Sequence, residues 1–388
     1  MSPAAAPALP CDAVSPSPPK PDPAYAQALA RAAAATVGGL EAMEAVARRL
    51  HPAELAALGE RLEPLSERLD SALEDLRDAP APEGLEPFHA QFLLGVENAA
   101  AAVRGFAAAG APAGAVGRVL GALRLHCRAQ EALYPLRRAF PSLGCHFAEP
   151  AWHERLADLD PDPPEGVGVG IHAAGADGDP DARGGFHLYV PERYDAEAEA
   201  GWPLVVALHG GFGHGRDFLW TWLREARSRG FLLMAPTSHG STWALNPPDV
   251  DAPALRSMID YVGERWRLDR SRVLLTGLSD GGTYALLAGL EEGAPYTALA
   301  VVAGVLHPRN FAAGNLGRAR GRRIYLAHGA QDWMFPVGLA QGARDALGEA
   351  GADVTYREIA DLSHAYPREE NDRILRWFDP GLAPATDA

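Results

Sequence analysis

Val273-Leu274-Leu275-Thr276-Gly277-Leu278-Ser279-Asp280-Gly281-Gly282 decides how this chain reads. An apolar run ends in Gly-x-Ser-x-Gly and opens into a helix-like segment, Thr283 to Leu290. Strand, sharp turn and helix with serine at the apex is the setting in which this pattern forms a nucleophile elbow. The chemistry accounts for the glycines. Ser279 must sit on a strained turn with its hydroxyl exposed, and side chains at Gly277 and Gly281 would crowd the neighbouring strand and helix.

A serine hydroxyl is a poor nucleophile at neutral pH; it needs an imidazole to take its proton and a carboxylate to fix that imidazole's tautomer. Candidates follow in order. The strand Ile324-Tyr325-Leu326-Ala327 opens into His328-Gly329-Ala330-Gln331-Asp332, and the run Val354 to Ile359 leads to Asp361-Leu362-Ser363-His364. Asp332, at a strand end, is favoured as the acid over Asp361, which is expected to decorate the His364 loop. His364 is favoured as the base over His328, which reads as a structural histidine bonding to backbone. A fourth element is the strand Val205-Val206-Ala207-Leu208, running into His209-Gly210-Gly211-Phe212-Gly213-His214-Gly215. Such a turn lets backbone N–H groups face a developing oxyanion. The expected donors are the amide of Gly211 or Phe212 and that of Asp280.

His209-Gly210-Gly211, Gly277 to Gly282, His328 to Asp332 and Ser363 to Pro367 together resemble the α/β-hydrolase superfamily. Within it they are similar to the phospholipase/carboxylesterase and dienelactone-hydrolase-like group of esterases. The similarity runs from about Gly166 to Pro380. It implies a serine hydrolase cleaving carboxylic esters through Ser279, His364 and Asp332 and an acyl-enzyme, with no metal or organic cofactor. The acidic Asp280 departs from the glutamine, alanine or asparagine that relatives often carry after the serine. A thioesterase, a serine peptidase or a feruloyl or polymer esterase would use the same triad, and a non-catalytic binding module on a hydrolase frame is the alternative of another class.

Composition frames this reading. The 388 residues are enough for two domains, 47% are hydrophobic, and no run approaches a membrane span. A net charge of −15 argues against nucleic acid and anionic membranes as partners, and the resemblance implies a small-molecule ester as substrate. Lys20 is the lone lysine, a codon-bias signature. Cys11, Cys127 and Cys145 form neither a metal spacing nor an even disulfide framework. The Pro/Ala/Ser-rich stretch 1–23 does not read as a secretory signal, so a disordered leader and a cytoplasmic location are expected.

From 24 to 140, apolar residues recur at helical steps, as in Leu55, Leu58, Leu62, Leu65, Leu69, Ala72 and Leu76. Breaks at His51-Pro52, Ala79 to Pro82 and Gly110 to Pro112 divide the region into about four helices, expected to form a bundle. Pro64 should kink or restart the second helix. The bundle is expected to pack within the chain or to make a homo-oligomer, with a lid or a docking module as alternatives. Glu86-Pro87-Phe88-His89 matches Glu-x-x-His, but neither His126 nor His146 has the matching glutamate, so solvated or core histidines are expected. A Pro/Asp/Glu-rich linker, 141–165, leads to alternating strands and helices over 166–380, with a tail at 381–388. These βα units predict an α/β fold whose mainly parallel sheet is covered by helices on both faces, preceded by the all-α bundle. Trp243, Trp333 and Phe212 are expected to line the substrate pocket, and Trp220 and Trp222 to pack in the core.

Overall fold

The computed structural model describes residues 22–108, 114–162, 166, 168–175, 179 and 181–384. The helical region begins with α1 (Pro23–Arg48), α2 (Leu55–Asp78), α3 (Glu86–Ala107) and α4 (Ala115–Leu133). The stretch expected to be a linker carries a short helix, α5 (Pro141–His146), and 3-10 turns over Pro150–Leu159. It is pinned, because Arg137 and Arg227 both reach the Asp160 carboxylate, each at 2.7 Å. Of the expected leader, 1–21 lies outside the described residues, as does Pro112, while Pro23 opens α1. Helix α2 runs unbroken through Pro64. Buried Leu58, Leu62, Leu69 and Leu76 on either side supply packing that outweighs the one backbone bond proline removes.

Eight strands follow: β1 (Gly170–Ala174), β2 (Phe186–Val190), β3 (Trp202–Leu208), β4 (Leu232–Pro236), β5 (Leu268–Leu278), β6 (Ala298–Val302), β7 (Arg323–Gly329) and β8 (Asp353–Ile359). Between and after them come α6 (Gly215–Phe218), α7 (Leu223–Arg229), α8 (Asp251–Arg265), α9 (Asp280–Gly289), α10 (Arg309–Ala312), α11 (Val337–Glu349) and α12 (Glu370–Phe378). The sheet order is β1-β2-β4-β3-β5-β6-β7-β8. Strand β2 pairs antiparallel with β1 and β4, and the remaining pairs are parallel. Chain direction of build reverses between β3 and β5, so their carboxyl ends flank a crevice.

Side chains of a strand alternate between faces, and both faces here are buried. Leu204, Val206 and Leu208 of β3 join Leu275, Leu299 and Leu326 in one core beneath α8, α9 and α11. Val205 and Ala207 face the other way, into a core shared with α7, α12 and the four long helices through Leu40, Leu69, Phe92 and Leu133. The amphipathic helices thus cover their apolar faces inside the chain. Polar contacts close the seam: Tyr134 donates to Glu192 at 2.7 Å, and Arg128 reaches Asp217 at 2.5 Å. Glu44 accepts from Arg224 at 3.1 Å and Arg368 at 2.5 Å.

Burial alone would raise the Glu44 carboxyl, but Arg368, Arg224 and the nearby His146 outweigh it and hold the group down at about 2. A depressed carboxylate stabilises the fold above its ordinary pKa and loses that contribution as pH falls through the depressed value. Acid urea titrations should therefore show stability falling between roughly pH 4.5 and pH 2 by an amount on the order of 3 kcal/mol from this group. Glu44→Gln should flatten that part of the curve. Because one core spans helices and sheet, tryptophan fluorescence and far-UV circular dichroism should trace a single coincident unfolding transition. Two separated transitions would contradict the shared core.

Candidate active site

Ser279 stands between β5 and α9 with φ 56° and ψ −119°, a backbone geometry that non-glycine residues adopt only under constraint. The constraint is visible in the glycines. A Cβ on Gly277 would lie 2.5 Å from the Gly281 carbonyl, and one on Gly281 would lie 2.4 Å from the His209 oxygen. The Ser279 amide donates to the Val302 carbonyl at 2.9 Å, tying the apex to β6.

His364 Nε2 is 2.9 Å from Ser279 Oγ, and His364 Nδ1 is 2.8 Å from Asp332 Oδ2. Three loops at the carboxyl ends of β5, β7 and β8 bring these groups together. The other Asp332 oxygen accepts the amides of Met334 at 2.9 Å and Phe335 at 2.7 Å. Burial works to raise the Asp332 pKa, but the His364 bond and the two amides prevail, and the carboxyl lies below its ordinary value. An ionised carboxylate only accepts, so His364 carries its proton on Nδ1 and turns the Nε2 lone pair toward the serine hydroxyl. The Phe335 ring meets the imidazole edge-on at 5.2 Å between centroids.

The rival groups sit elsewhere. Asp361 is 74% exposed at its side chain and pairs with Arg48 at 3.1 Å. His328 Nε2 donates to the Phe335 carbonyl at 2.7 Å and lies 3.3 Å from Asp332, beneath the carboxylate. It has the backbone bond expected of a structural histidine.

The glycine-rich loop after β3 packs against the elbow, since a Cβ on Gly210 would stand 3.6 Å from Ser279 Cβ. Its donors differ from one another. The Phe212 amide donates to Ser241 O at 2.7 Å, so Phe212, expected as an alternative oxyanion donor, is committed elsewhere. Among the described residues the Gly211 amide has no such acceptor. The Asp280 amide is the first of α9, where a helix offers no internal acceptor. His209 braces the loop: its Nδ1 bonds the Gly210 carbonyl at 2.7 Å and its Nε2 accepts from Ser238 N at 3.1 Å. Burial pushes His209 down to about 4, consistent with a neutral ring in this role. The Asp280 carboxylate accepts from Thr242 Oγ1 at 2.6 Å, and a Cβ on Gly211 would come within 2.7 Å of it. One of its oxygens is thus engaged by the loop after β4.

Of the expected pocket residues, Trp243 departs from the reading. It is 2% exposed, its indole N–H donates to His209 O at 2.8 Å, and its ring stacks on Tyr284 at 5.4 Å. Burial of an indole requires such an acceptor, and the His209 carbonyl provides it. Phe212 and Trp333 are 67% and 48% exposed at the active edge, and Trp220 and Trp222 are core residues. Thr242, Phe335 and the brace of His209 were not anticipated; nothing in their local spacing marks them. The bundle histidines do not all converge: His89 meets Tyr25 Oη at 3.1 Å, apart from His126 and His146, which are both buried near Glu44. Among the described residues no group of three or more His, Cys, Asp or Glu is placed to hold a metal.

Strand order, the elbow and its neighbours give the sheet-bearing part of the chain the α/β-hydrolase fold. Residues 251–378, within the sheet-bearing part of the chain, match the model of the family described as phospholipase/carboxylesterase. A curated feruloyl esterase B of Thermothelomyces thermophilus is 34% identical over 130 residues, covering 31% of this chain and 43% of that protein. The chain therefore spans less than half the length of that relative. Among solved structures, esterase PE8 matches with a TM-score of 0.40 at 20% identity, covering 49% of this chain and 97% of that one. A truncated carbohydrate esterase from gut microbiota matches with a TM-score of 0.44 at 14% identity, covering 57% and 99%.

The close approaches at the elbow predict a sharp contrast between glycines. Gly281→Ala should cost roughly 1–3 kcal/mol or more, because its methyl would meet backbone that cannot step aside. Gly342→Ala, on α11 with open space around it, should instead stabilise by about 0.5–1 kcal/mol. Urea midpoints of the two variants measure both.

Proposed function

We propose that the chain hydrolyses carboxylic esters through Ser279, His364 and Asp332 and a covalent acyl-enzyme. The observation that carries this reading is the unbroken line of contacts from Ser279 Oγ through the imidazole to Asp332, at 2.9 and 2.8 Å. His364 Nε2 takes the hydroxyl proton as Ser279 Oγ attacks the carbonyl carbon. The oxygen becomes an alkoxide facing the Gly211 and Asp280 amides, and Asp332 stabilises the imidazolium. The tetrahedral adduct collapses, the C–O bond to the alcohol breaks, and His364 returns its proton to the departing oxygen. Water, deprotonated by the same nitrogen, then attacks the acyl carbon; collapse releases the acid and the proton goes back to Ser279. Every step uses groups of the protein itself.

On this reading residues 166–380 are the catalytic unit and 24–140 accessory helices, in a cytoplasmic enzyme acting on a small-molecule ester. Phe212 and Trp333, exposed at the carboxyl edge of the sheet, would receive an apolar acyl or alcohol group. An aromatic-acid ester is the second reading, favoured by those two rings and by the similarity to a feruloyl esterase. Thioesters and amides would pass through the same steps and are separated by matched substrates.

A fluorophosphonate probe should label the wild type and fail to label Ser279→Ala. With p-nitrophenyl esters, Asp332→Asn should lower kcat roughly 10³–10⁴-fold, because the wrong imidazole tautomer would then face the serine. Asp361→Asn, which keeps an oxygen able to accept from Arg48, should cost far less than Asp332→Asn. Wild-type hydrolysis by Ser279→Ala would reject the assignment and favour a binding module.

A further inference from the structure

The helical region reaches the active edge at two points, and each holds a loop. Glu44 and Arg48 lie one turn apart at the end of α1 and share a face. Arg48 Nη2 is 3.1 Å from Asp361 Oδ1, and its Nε is 2.5 Å from Glu369 Oε1. Glu44 Oε1 holds Arg368 Nη1 at 2.5 Å. Asp361, Arg368 and Glu369 bracket His364 on both sides. The other flank of that loop is fixed by backbone: the Ala330 amide donates to Ile359 O at 2.9 Å and the Gln331 amide to Leu362 O at 3.0 Å. The imidazole therefore sits in a loop clamped between the Asp332 turn and the last turn of α1.

The second point is on α4. Arg124 Nη2 donates to the Phe212 carbonyl at 3.1 Å. Phe212 has φ 60°, so its peptide is held out of its preferred conformation by contacts at both ends, Ser241 O on the amide and Arg124 on the carbonyl. One turn further along α4, Arg128 pairs with Asp217 at 2.5 Å, where the same loop enters α6. Phe212, whose carbonyl Arg124 holds, is the residue after Gly211, and the Gly211 amide has no backbone acceptor among the described residues.

We propose that the helical region is a brace for the two catalytic loops, with Arg48 a positioning residue for His364 and Arg124 a positioning residue for the Gly211 amide. The proposal rests on the reading of Ser279, His364 and Asp332 as the reacting groups. It gives these helices a role in turnover that is neither a lid nor a dimer interface. The physical case is one of leverage. Exposed ion pairs contribute little to stability, whereas a displacement of about 1 Å at a reacting group can cost around a hundredfold in rate.

Arg48→Ala and Arg124→Ala in the full chain, assayed with p-nitrophenyl acetate, test this. Each should lower kcat roughly 10- to 100-fold with KM within about twofold. The two sites share no partner, so the double variant should show the product of the single effects. Arg48→Lys should recover part of the loss, since one donor of the fork survives. Arg31→Ala removes an equal charge from the Arg31–Asp75 pair inside the helical region and should leave kcat unchanged. Titration of active sites with a fluorophosphonate counts the competent molecules in every sample. A kcat within twofold of wild type for both variants would overturn the brace, as would a fall matched by an equal loss of titratable sites. Undiminished hydrolysis by Ser279→Ala would overturn the brace together with the assignment beneath it, whereas normal kcat in the arginine variants overturns the brace alone.

Discussion

The His209 and Leu208 carbonyl oxygens stand 2.4 and 2.5 Å from where a Cβ on Gly281 would lie, and the site's geometry follows from that approach. It lets α9 start directly against the end of β3. The serine at its cap is then forced to positive φ, and the glycine-rich loop after β3 is brought beside it. Strain of this kind costs on the order of 1–3 kcal/mol and persists only where the surroundings over-determine it. Here the surroundings are a continuous strand on each side, the Val302 carbonyl holding the Ser279 amide, and a histidine whose two nitrogens are bonded to Gly210 of the loop and to Ser238 after β4.

The elbow was legible because its requirement is local. Two glycines and a serine at fixed spacing encode the close contacts whatever lies elsewhere in the chain. That Asp332 and His364 would each follow a strand was legible for a related reason: the apolar run Ile324 to Ala327 and the alternating run Val354 to Ile359 are each visible on their own. Trp243 shows the limit. Its neighbours in sequence suggested a loop residue open to substrate, but its indole N–H finds a carbonyl 34 positions earlier, and its ring finds Tyr284. Pro64 shows another. Proline there argued for a kink or a restart, and the helix, with an apolar stripe on both sides of Pro64, does not restart.

The helical region was legible as helices and not as a partner of the site. Its periodicity specified an apolar face for each helix. It did not specify that those faces would join Val205, Ala207 and Leu274 in one core. Nor could spacing reveal Arg48 with Asp361, 313 positions apart, or Arg124 with the Phe212 carbonyl. Such pairs are set by how two layers meet, and a single arginine carries no mark of which layer it will face.

The seam also explains why charge is concentrated there. Glu44, Arg224 and Arg368 are largely withdrawn from water, and ion pairs so placed are poor sources of net stability because desolvation offsets much of their attraction. An apolar seam would hold as firmly, yet it would tolerate sliding, since dispersion contacts have little directional preference. A carboxylate shared between two guanidinium groups has a narrow geometry. Breaking it strands a buried charge, so a shifted docking of α1 is disfavoured far more than the native pair is favoured. Arg368 lies four residues from His364, and the same constraint therefore fixes the register of the helices and the approach of the imidazole to Ser279.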